Sequence, residues 1–287
     1  MALITNVLFP IDFSPASLAM APYVRRAAAI FNAGVSLIHV FDPASYNGFE
    51  LYVRPESEVA EEHKKIAMDR LNAFLADEFP VSRHPRILAA GDAATRIAET
   101  ARNGFDLIVM PTHAGAFRRM LLGSTTAKVL DSADCPVLTS HHADVIAPRP
   151  IEHREWLSTI GLGENSERVL HYARQAAEEA RGRLHILHAI PSADPGLPVQ
   201  LDLQEQLQSE ERRQARERID ALQHKVGLDV PVRIVVGPVK EALLAAARSY
   251  DADALIIGRS PQSGANGRLR DLTYAMVRDS PFPVLSV

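Results

Sequence analysis

Two kinds of apolar pattern alternate along the chain. Short, nearly continuous Val/Ile/Leu runs read as buried strands. Between them, apolar residues recur every three to four positions, the signature of amphipathic helices. In the first half the runs fall at residues 7–11, 35–40, 86–90, 106–110 and 136–139. Pro10 lies inside the first run and marks its end as a strand terminus. Ser14-Pro15 supplies an N-cap followed by proline at the first helical position. Leu18, Val24, Ala27, Ala28 and Phe31 form the apolar stripe of that helix, with Gly34 as its stop. Residues 42–55 read as a loop. A helix follows over 56–78, with Ile66, Leu71, Phe74 and Leu75 inward, and others over 93–103 and 122–133. The second half repeats the order, with strands at 155–160, 184–190, 232–236, 254–257 and 284–287. The charged run 205–218 is the wet face of a helix that turns Leu203, Leu207, Ile219 and Leu222 inward.

The halves are related by sequence as well as by pattern. Asp106-Leu-Ile-Val-Met-Pro111 and Cys135-Pro136-Val137-Leu138 recur as Asp253-Ala-Leu-Ile-Ile-Gly258 and Phe282-Pro283-Val284-Leu285. Here 253 − 106 and 283 − 136 both equal 147. Nearer the start, Leu37-Ile38-His39 matches Ile186-Leu187-His188 at an offset of 149. The pattern therefore predicts a duplicated α/β domain: residues 1–142, a linker over 143–152, and residues 153–287. Strands of this kind alternating with helices predict two tandem doubly wound domains, each a five-stranded parallel sheet. The terminal strand of each half would present an open edge, which predicts packing of the halves as a pseudo-dimer.

Composition narrows the function classes. In 287 residues, 31 basic and 35 acidic side chains give a net charge of −4, so nothing points to a nucleic acid partner. The single cysteine, Cys135, cannot form an intrachain disulfide, which makes a cytoplasmic location the expectation. No apolar run reaches the ~20 residues of a membrane helix, and the first residues lack the basic start of a signal peptide.

Ligands of such sheets sit outside the carboxyl ends of the strands, where the chain order reverses. There Gly123-Ser124-Thr125-Thr126 opens a helix, and a helix N-terminus offers free amides to an anion. Taken alone, these residues favour the plainer reading, in which Ser124 or Thr125 caps the helix. Gly161-Leu-Gly163-Glu-Asn-Ser166 imitates a dinucleotide fingerprint, yet His188-Ala-Ile-Pro191 stands where that fingerprint wants an acid. It reads as a turn capped by Asn165. There is no P-loop and no nucleophile elbow. His141, His142 and His153 lie in the linker region without close metal-ligand spacing. His39 and His188 occupy equivalent strand positions, which favours packing over catalysis. Cys135 reads as a small buried hydrophobe.

The stretch from Met110 to Leu130, with Gly123-Ser124-Thr125 inside it and Asp134-Cys-Pro-Val-Leu138 after it, resembles the universal stress protein family. Val7-Leu-Phe-Pro-Ile-Asp12 resembles the family's first strand, and Leu37-Ile-His-Val40 its second. The resemblance covers both halves and implies the adenine nucleotide alpha hydrolase-like fold. Some members bind ATP, which implies ATP or another adenine nucleotide, with magnesium, as the ligand. On that basis Pro10, Asp12 and Val40 would face the adenosine. Met110 and the Thr112–Ala114 turn, with His113 inside it and Gly115 after it as the glycine that allows the turn, would border the ribose and phosphates, and Gly123, Ser124 and Thr125 would hold the phosphates. Departures from the family's Gly-x2-Gly-x9-Gly-Ser/Thr motif are plain. Pro111 and Ala114 stand at the first two glycines, and eight residues separate Ala114 from Gly123. The second half departs further, with Gly161 for the aspartate, Pro261 for the second glycine, and Arg270 and Asp271 at the phosphate cradle.

The expectation is a stress-response module that binds a nucleotide in its N-terminal half, at most as a slow ATPase, with protein partners unspecified and a homodimer allowed. The alternatives are a scaffold with both sites decayed, or an enzyme of a related nucleotide-binding fold. The loops that such an enzyme uses, Ser-Gly-Gly-x-Asp-Ser or His-x-Gly-His, are absent.

Overall fold

The computed structural model describes residues 3–42, 56–112, 122–140, 154–191, 201–259 and 267–287, and divides into two compact units, Met1–Ile151 and Glu152–Val287. In the first unit the order is β1 (Asn6–Ile11), α1 (Pro15–Phe31), β2 (Gly34–Phe41), α2 (Glu56–Ala73), β3 (Arg86–Ala90), α3 (Ala93–Arg102), β4 (Leu107–Pro111), α4 (Ser124–Ser132) and β5 (Val137–Ser140). Its strands lie in the order β3-β2-β1-β4-β5, with parallel partners throughout. The second unit contains β6 (Glu155–Thr159), α5 (Ser166–Glu179), β7 (Arg183–Ile190), α6 (Leu201–Val226), β8 (Val232–Val236), α7 (Val239–Ser249), β9 (Ala254–Ile257), α8 (Gly267–Asp279) and β10 (Val284–Ser286). Its sheet runs β10-β9-β6-β7-β8, also parallel. Both units are therefore doubly wound, with the reversal of chain order at β1/β4 and at β6/β9.

The central strands of each sheet are buried on both faces, which is why they read as unbroken apolar runs, while the edge strands β3 and β8 are only half-buried. Val7, Leu8, Phe9, Leu107, Ile108, Val109 and Val137 are each at most 1% exposed. The repeat extends to polar details. Asp106, just before β4, accepts at Oδ2 from the amides of Thr5 and Asn6 and from the Thr5 hydroxyl. Asp253, just before β9, accepts from the amides of Arg154 and Glu155. Each aspartate ties the start of the unit's central strand to its neighbour. Thr126 Oγ1 donates to the Pro111 carbonyl and Thr273 Oγ1 to the Gly258 carbonyl, again 147 residues apart.

Several local readings are corrected. Helix α1 ends at Asn32, in the left-handed region at φ 50°, and Gly34 opens β2 instead. Leu18, Ile66 and Leu207 are 47%, 57% and 53% exposed. The inward stripe of α1 includes Ser17, Met20 and Val24, that of α2 includes Val59, Ala67 and Leu71, and that of α6 is Ala215, Ile219 and Gln223. In each helix an alanine or a polar residue took a place that hydrophobicity alone assigned to a larger side chain. Cys135 is half-buried rather than enclosed.

Candidate functional site

In the first unit, proline decides where the sheet opens. Parallel pairing between β1 and β4 covers only Val7–Leu107 and Leu8–Ile108. The Ile108 amide donates to Pro136 on the far side, so Leu107 and Val109 turn their amides and carbonyls toward β1. The next pair, Phe9 with Val109, would need an N–H at position 10, and Pro10 has none. The two strands part there. Pairing of β1 with β2 continues to Ile11–His39. Gly34 donates to Thr5, which fixes the even-numbered residues of β2 toward β1. The Val40 carbonyl is then the next acceptor in that row, past the end of β1 with no strand opposite it.

A crevice of about 200 Å³ opens at this parting. Pro10, Asp12, Val40, Met110, Gly123, Ser124 and Thr125 line it together, so seven of the residues singled out from sequence meet in one place. Ile11, Ser17, Ile38, His39, Ala93, Ile97, Pro111 and Thr126 complete the lining. Thr112 is buried outside the lining, and its carbonyl accepts the Gly123 amide at 2.8 Å. That bond closes the neck of the loop between β4 and α4. His113 and Gly115, with Ala114, Arg118 and Arg119, lie outside the described residues, as do His141, His142, His153 and linker residues 143–152.

Asp12 is held by the start of α1. Its Oδ1 accepts from the Ser14 amide at 2.9 Å and from the Ser14 and Ser17 hydroxyls at 2.5 Å each. All three donors meet one oxygen, which leaves Oδ2 as the acceptor still available. Ser14 in turn caps α1 by accepting from the Ser17 amide. At the opposite wall, α4 starts at Gly123, which has no side chain to cap it. The first-turn amides of a helix have no partner within the helix, so this end is open to an anion. Aspartate on one wall and an uncapped, electropositive helix start on the other give the crevice two chemically different ends.

Sequence reading missed the role of His39. Its Nδ1 lies 2.7 Å from the Ile11 carbonyl. A carbonyl only accepts, so Nδ1 carries the hydrogen and Nε2 is the bare nitrogen of the neutral ring. Burial lowers the His39 pKa, the Ile11 carbonyl opposes it, and the Arg70 cation adds to the lowering. Phe13, at φ 60°, lays its ring 4.4 Å from His39, and the Arg70 guanidinium stacks over Phe13 at 4.2 Å. His188 repeats the device, with Nδ1 2.8 Å from the Ile160 carbonyl. The matched positions 39 and 188 carried the signal for a shared packing role; the carbonyl partner lies 28 residues away and has no mark in the pattern.

Among the described residues no group of three or more His, Cys, Asp or Glu could hold a metal ion, and no helix is long and apolar enough to cross a membrane.

The first unit is thus a doubly wound parallel fold with a crevice at its switch point, an acid at the tip of the first strand and an uncapped helix start opposite. The model of the universal stress protein family matches residues 4–141 and again 157–287. The chain belongs to that family, as a tandem of two of its domains. A universal stress protein of Mycobacterium tuberculosis is 24% identical over 277 residues, covering 92% of this chain and 89% of that protein. One from Methanocaldococcus jannaschii is 34% identical over 137 residues, or 46% of this chain and 79% of its own length. The crystal structure of a universal stress protein from Archaeoglobus fulgidus aligns with a TM-score of 0.64 at 19% identity, covering 98% of this chain and 95% of that one. At that identity it speaks for the fold.

Proposed function

We propose that this universal stress protein is a cytoplasmic stress-response module that binds one adenine nucleotide, ATP or a relative, in the crevice of its first unit, without rapid turnover. The observation that carries the reading is the parting of β1 from β4 at Pro10, which brings Asp12, Val40 and the uncapped start of α4 to one crevice. Each end suits a part of such a ligand. The Val40 carbonyl and Asp12 Oδ2 are acceptors for the amino and hydroxyl groups of an adenosine. The amides at residues 124–126 and the hydroxyls of Ser124 and Thr125 are donors for phosphate oxygens, while the Thr126 hydroxyl is spent on the Pro111 carbonyl. Pro10, Ile38, Ile97 and Met110 supply apolar wall for a base. Magnesium would enter with the nucleotide. Pro111 in place of a motif glycine removes one backbone donor from the rim, which places the weight of phosphate binding on the start of α4.

Titration calorimetry with ATP and magnesium tests the reading. A wild-type chain that binds no adenine nucleotide overturns it and leaves an interaction scaffold as the account.

A further inference from the structure

We propose that the corresponding crevice of the second unit is closed by its own backbone and side chains, with Thr159 and Asn165 occupying the openings that the first unit leaves free and Arg218 fixing the turn beside them. The inference deepens the proposed function and rests on the first unit being the ligand-binding one.

The backbone comes first. At the offset of 149, Thr159 stands where the first unit has Pro10. Pairing of β6 with β9 covers Trp156–Ala254, Leu157–Leu255 and Ser158–Ile256, one pair more than β1 with β4. The Leu255 amide donates to Pro283 on the far side, so Ala254 and Ile256 turn toward β6. The Ser158–Ile256 pair then uses the Thr159 N–H on the Ile256 carbonyl. Proline cannot make this bond, and threonine does. Where the first unit parts, the second stays zipped.

One side chain then bridges the top, and a second fixes the turn beside it. Asn165 Nδ2 donates to the Arg259 carbonyl at 2.7 Å, joining the start of α5 to the segment leaving β9. This bond spans the switch point. Position 16 in the first unit, the counterpart of Asn165, is alanine and can make no such bridge. Asn165 also lacks the cap geometry expected of it, since its φ and ψ are helical and its side chain makes no capping bond to α5. Arg218 Nη2 donates to the Leu162 carbonyl at 2.7 Å. Leu162 is the counterpart of Phe13 and shares its left-handed backbone, at φ 56°. In the first unit the nearby arginine, Arg70, stacks on the Phe13 ring instead. A fourth observation agrees. A Cβ at Gly258 would lie 2.9 Å from Val169 Cγ2, so α5 sits tightly against the tip of β9.

Hydrogen exchange of the intact chain, read by mass spectrometry with and without ATP and magnesium, tests the closure separately from the nucleotide reading. Without nucleotide, Asn165→Ala should speed exchange of segments 159–166 and 257–259 by about tenfold and leave residues 3–42 unchanged. Arg218→Ala should do the same at 159–166. Unchanged rates in both variants overturn the closure. With nucleotide added to the wild type, segments 11–17 and 122–127 should slow while 159–166 and 257–259 do not. Slowing in the second unit overturns the closure. Slowing nowhere overturns the nucleotide reading, and the variants without nucleotide still decide the closure.

Discussion

Single residues in this fold act mostly by completing backbone accounts. Arg86 donates to the carbonyls of Leu71, Phe74, Phe79 and His84, and so closes the end of α2 with one guanidinium. Burial lowers its pKa, and no carboxylate is among these partners. Arg86→Ala would orphan several of these carbonyls and should cost about 2–4 kcal/mol in urea unfolding. An effect below about 0.5 kcal/mol would contradict this role. The two strand histidines make a second case. Burial holds His39 and His188 below the ordinary 6.5, so near pH 6 the unfolded chain binds more protons than the folded one. Stability is then full above 6.5 and falls as the pH drops from 6.5 toward the folded values. Replacing both by asparagine, which can still donate to a carbonyl but does not titrate, should flatten this part of a pH series of unfolding free energies. An unaltered slope would show that other groups set it.

Elements carry the distinction between an open and a closed sheet. Proline at position 10 ends the β1–β4 ladder, and threonine at 159 continues the β6–β9 ladder. Pro10→Thr should let Phe9 pair with Val109 and narrow the crevice. We expect nucleotide affinity to fall at least about tenfold while unfolding free energy stays within about 1 kcal/mol, because the new ladder bond and the greater freedom of the unfolded chain offset each other. Unchanged affinity in Pro10→Thr would mean that the parting of the strands does not form the site. Much of this was legible beforehand. Apolar runs without alternation gave parallel strands, and Arg86–Ala90, Val232–Val236 and Ala254–Ile257 lie where the pattern placed them. Helix faces were less legible. Leu18 and Leu207 are exposed because an amphipathic stripe is set by angle about the axis, and the inward positions went to residues such as Ser17 and Gln223. The candidate site was legible where a strand tip or helix start coincided with a marked residue, as at Asp12 and Gly123. His39 and Asn165 act through backbone carbonyls distant in sequence, and Ser17 through the Asp12 carboxylate five residues back; periodicity has no term for either kind of bond.

At the scale of the whole chain the duplication preserves structure more faithfully than it preserves the crevice. Asp106 and Asp253, Thr126 and Thr273, and His39 and His188 perform the same tasks in their units. The residues around the switch point do not: Asp12 is matched by Gly161, Gly123 by Arg270 and Ser124 by Asp271. A carboxylate at the position of the Ser124 hydroxyl would repel a phosphate. The chain is a tandem of two universal stress protein domains, and the proposed nucleotide site belongs to the first of them.

The number of nucleotides bound per chain tests that claim most directly. Calorimetric titration of ATP with magnesium into the intact protein should give one site per chain. Gly123→Arg, which puts a long side chain at the open start of α4, should abolish it. Asp12→Ala should weaken it by roughly ten- to a hundredfold, the worth of one hydrogen bond to a charged acceptor. Two sites per chain, or one site indifferent to Gly123→Arg, would contradict the account.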